Sequence, residues 1–114
     1  MDNCLFCKIV ANKISCFKVY EDNNILAFKD IEPIAPVHIL VIPKKHIQSI
    51  NELELIDKGL AGELLLKGQK IAKDQNIDKN GFRLIFNTND NGGQTIYHMH
   101  MHIIGGRQMK WPPG

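Results

Sequence analysis

The chain carries almost no surplus charge of either sign: 14 Lys+Arg face 12 Asp+Glu, for a formal +2 over 114 residues. A nucleic-acid binder would need a clustered basic footprint that this balance does not supply, although small nucleotides are not excluded. Cysteine is scarce. Three residues are an odd number and too few for a disulfide scaffold, which points to a reducing, cytoplasmic-type setting. No apolar run approaches the roughly 20 residues of a membrane span, so no membrane partner is expected. The start, Met1-Asp2-Asn3-Cys4, lacks a basic region followed by an apolar core, so no signal peptide is expected either. Repeats, low-complexity tracts and compositional breaks are missing as well. With 44% hydrophobic and 23% charged residues, the expectation is one folded soluble domain over residues 1–114.

Several segments have a clear local reading. Leu5–Val10 reads as a short helical turn with Asn3 as its cap. Phe17–Tyr20 and Ile25–Phe28 flank the polar group Glu21-Asp22-Asn23-Asn24, the pattern of a hairpin. Two prolines make Ile31–Pro36 a loop, and His38–Ile42 is an apolar, β-rich run ending at Pro43. Leu53, Ile56, Leu60, Leu64 and Ile71 recur at helical spacing, predicting one long amphipathic helix that frays near Asp74-Gln75-Asn76. Phe82–Phe86 and Ile96–Ile104 read as further strands, separated by the turn-rich segment Asn87–Gly93. This arrangement predicts an α+β fold, a mainly antiparallel sheet of about five strands with one long helix on a face.

The chemistry is concentrated in His98, His100 and His102, which alternate with Met99 and Met101. Period-two alternation puts the imidazoles on one face of a strand and the methionines on the other. Each buried ring needs partners for two nitrogens, so three on one face are not an ordinary packing choice. Such a row can ligate a metal with an open position. Alternatively, one ring can be a nucleophile oriented by its neighbours. Gly92-Gly93-Gln94-Thr95 precedes the row and offers backbone N–H groups, an amide and a hydroxyl, an array suited to phosphate. That loop favours phosphoryl or nucleotidyl transfer. An imidazole is substantially neutral near neutral pH, so it needs no special activator to attack phosphorus.

The run His98-Met99-His100-Met101-His102-Ile103-Ile104 resembles the motif of the histidine triad (HIT) family. The likeness extends to Leu5–Ile9, Leu26–Ile31, His38–His46 and Asn91–Thr95. The tail Gly105-Gly106-Arg107-Gln108-Met109-Lys110-Trp111-Pro112-Pro113-Gly114 is most similar to the Hint branch, the purine nucleoside phosphoramidases. The resemblance implies a HIT-like fold with a short N-terminal helix. It also implies a hydrolase of the P–N bond in purine nucleoside 5′-phosphoramidates, with AMP or GMP as product and adenosine phosphoramidates as substrates. His100 would attack the α-phosphorus, His102 would contact the phosphate, His98 would complete the triad and His38 would stand behind it in a hydrogen-bond relay. Asn87, Gly93, Gln94 and Thr95 match the phosphate-holding positions, Asp30 the ribose carboxylate, and Phe6, Ile9, Phe28 and Ile31 the base pocket. Many Hint proteins have serine where this chain has Thr95.

The resemblance carries three further expectations. Cys4 and Cys7, with His46 and His98, match a structural zinc site of some bacterial histidine triad proteins and of the related galactose-1-phosphate uridylyltransferases. Eukaryotic Hint relatives generally lack the cysteine pair, and no cofactor is implied for catalysis. A homodimer is implied, with the C-terminal tail reaching the partner's active site. Three alternatives stay open: a dinucleoside polyphosphate or aminoacyl-adenylate hydrolase, a nucleotide-binding scaffold with incidental hydrolysis, and a catalytic zinc held by the triad itself.

Overall fold

The structure is a computed structural model, describing residues 3–114. A short helix α1 (Leu5–Val10) precedes strands β1 (Lys18–Glu21), β2 (Ile25–Lys29) and β3 (Val37–Pro43). Two 3₁₀ turns, Ile50–Glu52 and Leu55–Asp57, lead into the long helix α2 (Lys58–Asp74), and β4 (Phe82–Phe86) and β5 (Met101–Gly105) follow. The strands form one five-stranded sheet in the order β1-β2-β3-β5-β4, every pair antiparallel. The α+β expectation therefore holds. Among the described residues no helix is long and apolar enough to cross a membrane.

Alternation along the strands divides the core into two layers. Ile25, Ala27, Ile39, Val41, Met101 and Ile103 pack with Leu64, Ile71 and Ala72 of α2, while Leu26, Phe28, Leu40 and Ile42 face Phe6 and Ile9 of α1. A strand covered on both faces buries side chains on each, which is why β2 and β3 read as nearly continuous apolar runs, broken within the buried stretch only by His38. Gly68 lets α2 approach closely: a Cβ there would lie 2.5 Å from Met101 Cε.

The structure corrects three local expectations. The cap of α1 is Cys4, not Asn3, because the Cys4 sulfur accepts the Cys7 N–H at 3.3 Å. Ile56 is 85% exposed rather than on the buried helix face, since it sits in the second 3₁₀ turn before α2 begins. The last strand starts at Met101, not Ile96. Residues 96–100 run outside the ladder, although Met99 still enters the helix-side core and the histidines face α1.

Candidate active site

β5 and the segment before it carry the three histidines across the face covered by α1. Phe6 meets His98 and His100 in edge-to-face contacts, with centroids 5.9 and 5.1 Å apart, and the His100 and His102 ring centroids lie 4.9 Å apart. The nitrogens of each ring are then assigned by their partners. His100 Nδ1 lies 2.8 Å from the carbonyl of His98, so it carries the proton and donates; Nε2 retains a lone pair. Burial holds the His100 pKa below its ordinary value, which keeps that lone pair free.

His38 sits on β3, diagonal to His102 of β5. The Ile34 N–H donates to His38 Nδ1 at 3.2 Å, so the His38 proton is on Nε2 and is donated to His102 Nδ1 at 2.9 Å. His102 Nε2–H is thereby left buried and with no hydrogen-bond partner among the described residues. Burial, with His100 and His38 adding to it against the opposing Asp30 carboxylate, lowers the His102 pKa to about 4. A neutral ring with an unsatisfied N–H is a donor waiting for an acceptor.

The other flank has the opposite character. His98 donates Nε2–H to the Pro43 carbonyl at 2.7 Å, leaving Nδ1 bare. That Nδ1 lies 3.3 Å from Cys4 Sγ, 3.5 Å from Cys7 Sγ and 3.2 Å from His46 Nδ1, and Cys7 Sγ is 3.2 Å from His46 Nδ1. A tetrahedral zinc with Zn–S of about 2.3 Å and Zn–N of about 2.0–2.1 Å spaces its ligand atoms by about 3.3–3.8 Å, close to this set. Burial and the neighbouring Cys4 raise the Cys7 pKa to about 11, a cost that a bound cation would reverse. The four side chains fit a zinc ion.

A second group, Asp30, His38 and His102, also lies within 4.8 Å. It is a poorer metal site. A metal on His38 Nε2 would force the ring proton onto Nδ1, against the Ile34 N–H.

The loop before the histidines is built by its own hydrogen bonds. Gln94 Oε1 accepts from Asn89 N–H at 2.9 Å, and Nε2 donates to the Gln48 and Ile96 carbonyls. Gln94 therefore has no free amide donor; it shapes the loop rather than presenting its side chain to a ligand. Gly92 is required by space, because a Cβ would lie 2.4 Å from the Thr88 carbonyl oxygen, and Gly93 has φ +78°. Thr95 is exposed, and Asn87 is half-buried after β4.

Phe6, Ile9 and Phe28 form one buried cluster, Phe6 and Phe28 meeting edge to face at 5.4 Å. Ile31 does not join it. Asp30 Oδ1 accepts the Glu32 N–H in a tight turn, and the intervening Ile31 is 94% exposed. Sequence reading missed the backbone groups that orient the rings: Ile34 N–H and the carbonyls of Pro43 and His98. Main-chain donors and acceptors have no residue signature.

This arrangement can be compared with known proteins. The HIT domain profile matches residues 11–109. The chain belongs to the HIT domain family. An uncharacterized HIT-like protein of Synechocystis is 45% identical over 99% of this chain and 98% of its own length. A HIT family hydrolase from Legionella pneumophila is 52% identical, with a TM-score of 0.97 over 98% of this chain and 100% of that one. A histidine triad nucleotide-binding protein from Candida albicans is 29% identical, with a TM-score of 0.83 over 96% of this chain and 83% of that one.

Proposed function

We propose that this HIT protein is a nucleotide hydrolase of the Hint type, cleaving the P–N bond of purine nucleoside 5′-phosphoramidates. One observation carries the reading: beside a bare His100 Nε2 stands an unsatisfied His102 Nε2–H. A nucleophile next to a donor without a partner suits attack on an anionic phosphorus centre. In the first step His100 Nε2 bonds to the α-phosphorus and the P–N bond breaks, its electron pair leaving on the amine, which takes up a proton. Water then bonds to phosphorus and gives up a proton, and the P–Nε2 pair returns to His100. The sum is amidate plus water to nucleoside monophosphate plus amine.

Around that centre, Thr95 and Asn87 hold phosphate oxygens, while Gly93, whose N–H is donated to the Asp90 carbonyl at 3.0 Å, and Gln94 fix the loop. Asp30 takes ribose hydroxyls. Phe6, Ile9 and Phe28 support the purine, and exposed Ile31 is free to close over it. The similarity to the Legionella HIT family hydrolase and to the Candida histidine triad nucleotide-binding protein supports this class. Zinc at Cys4, Cys7, His46 and His98 supplies a structural cross-link, not a reaction step, and purified protein is expected to hold about one zinc per chain. A homodimer belongs to the same reading: β4 is a sheet edge and α2 exposes Leu65 and Leu66. Sedimentation as a monomer at micromolar concentration would remove it.

The deciding experiment is mass spectrometry of the quenched reaction with adenosine 5′-phosphoramidate in chelator. Adenylate on His100 is expected. Tight AMP binding without turnover of any amidate would make the protein a nucleotide-binding scaffold instead, and activity restored only by zinc would move the chemistry to the metal.

A further inference from the structure

We propose that Asp30 is a positioning residue of the histidine relay: with the Ile34 N–H, its carboxylate holds His38 in the Nε2–H form, so that His102 presents a donor to the phosphate. This deepens the hydrolase reading and rests on it. It assigns Asp30 a task that operates before any ribose arrives.

The other tautomer of His38 would be opposed at both ring nitrogens. A neutral His38 protonated on Nδ1 would point that N–H at the Ile34 N–H, 3.2 Å away, donor against donor. Its bare Nε2 would face Asp30 Oδ2 at 3.4 Å, lone pair against carboxylate. His102 would then have to donate from Nδ1 across the 2.9 Å contact, leaving a lone pair on Nε2 where the anionic substrate must sit. One proton shift in His38 thus turns the site from attracting phosphate to repelling it. Two groups oppose that shift, one at each nitrogen of the ring.

Asp30 is itself aimed. Its Oδ1 accepts the Glu32 N–H at 2.8 Å, which fixes the second oxygen toward His38 while the side chain stays only 20% exposed. The remaining titratable or charged neighbours are His100, beside His102, and Arg107, whose Nε donates to the Ile34 carbonyl at 3.1 Å and steadies the loop that supplies the other half of the lock. Neither stands opposite His38 Nε2, so the charge there is Asp30's.

Asp30→Asn separates this role from ribose binding. With Oδ1 still held by Glu32, the amide nitrogen takes the place of Oδ2 and confronts His38 Nε2–H. Histidine ¹⁵N NMR without substrate is expected to show both rings with protonated Nε2 in the parent, and a Nδ1–H population in both in the variant. Nucleotidyl-histidine formation is expected to slow by about tenfold on the adenosine amidate and on its 2′,3′-dideoxy analogue alike. Asp30→Ser, which keeps an acceptor for the turn but no charge, is expected to act in the same direction. Unchanged ring tautomers in both variants, with a rate loss confined to the substrate that has hydroxyls, would overturn the proposal. A parent protein that cleaves no phosphoramidate would sink the functional reading alone, since the NMR arm needs no substrate.

Discussion

At one end of the histidine row His98 turns a bare Nδ1 toward two sulfurs and a second imidazole, its only proton given to the Pro43 carbonyl. At the other end His102 has its Nδ1 lone pair taken by His38 and turns an N–H outward. His100 stands between them, its Nδ1–H on the His98 carbonyl and its Nε2 free. Three identical side chains thus present a bare Nδ1, a bare Nε2 and an unpartnered Nε2–H, which the proposed function uses as cation ligand, nucleophile and anion donor. The histidine type alone decides none of this; the partner behind each ring does, a main-chain carbonyl for His98 and His100 and the His38 side chain for His102, by fixing which nitrogen holds the proton.

The largest effect should come from the centre of the row. His100→Ala removes the lone pair and nothing else the site needs, so kcat is expected to fall by about 10⁴-fold or more. AMP affinity, measured by calorimetry, should stay within a few-fold. Equal losses in both would mean that the ring builds the pocket rather than attacking phosphorus.

Breaking the cation end tests whether the two flanks are separable. Cys7→Ser, or exhaustive chelation, should release the proposed zinc and lower the melting temperature by on the order of 10 °C, as expected for losing a cross-link worth several kcal/mol. The ring tautomer of His102, followed by NMR, should not change, because its supports lie on β3 and the loop around Ile34. A simultaneous loss of the His102 signature would join the ends into one unit.

The anion end has its own pH signature. The His102 pKa is about 4 in the folded chain and about 6.5 unfolded, so between those values the unfolded chain binds more protons. The associated stability is present in full above pH about 6.5 and is lost as pH falls toward 4. His102 should contribute about 1–2 kcal/mol to the difference between urea unfolding at pH 7 and pH 5, the other buried imidazoles adding to it in the same direction, and His102→Asn should reduce that difference. A steeper pH slope in the variant than in the parent would contradict the assignment.

Gly92→Ala acts on the loop between the ends. Its Cβ would collide with Thr88 backbone, so the loop must open and the N–H groups near Thr95 must move. About a tenfold loss in kcat/KM is expected with little change in melting, since a small misplacement of phosphate donors is costly. An unchanged rate would remove the loop from the phosphate site.

The strands, the helix and the face shared by the histidines were legible because their information lies in side-chain period: β2, β3 and α2 bury what the pattern says they bury. The site's residue types were legible too, as were the four metal-ligand candidates, which the fold brings together from positions 4, 7, 46 and 98. Three things were not. The start of β5 depends on pairing with β3, and no pairing reaches residues 96–100. The direction of Gln94 depends on the Gln48 carbonyl, far away in sequence. The proton positions depend on Ile34, Pro43 and His98 main-chain atoms, which any residue there but a proline nitrogen would supply.

The smallest effect is expected at Ile31, which reads like Phe28 in sequence but stands apart from it in the fold. Phe28 is 4% exposed in the layer under α1, and Phe28→Ala should cost about 3–5 kcal/mol by leaving a cavity. Ile31 is 94% exposed, so Ile31→Ala should leave stability within about 0.5 kcal/mol. If Ile31 closes over the base, the same variant should weaken AMP by about threefold, the worth of a partly covered methyl-bearing surface, and should weaken ribose 5-phosphate not at all. Equal affinity of parent and variant for AMP would make Ile31 a surface residue whose resemblance to a pocket position has no counterpart in this chain.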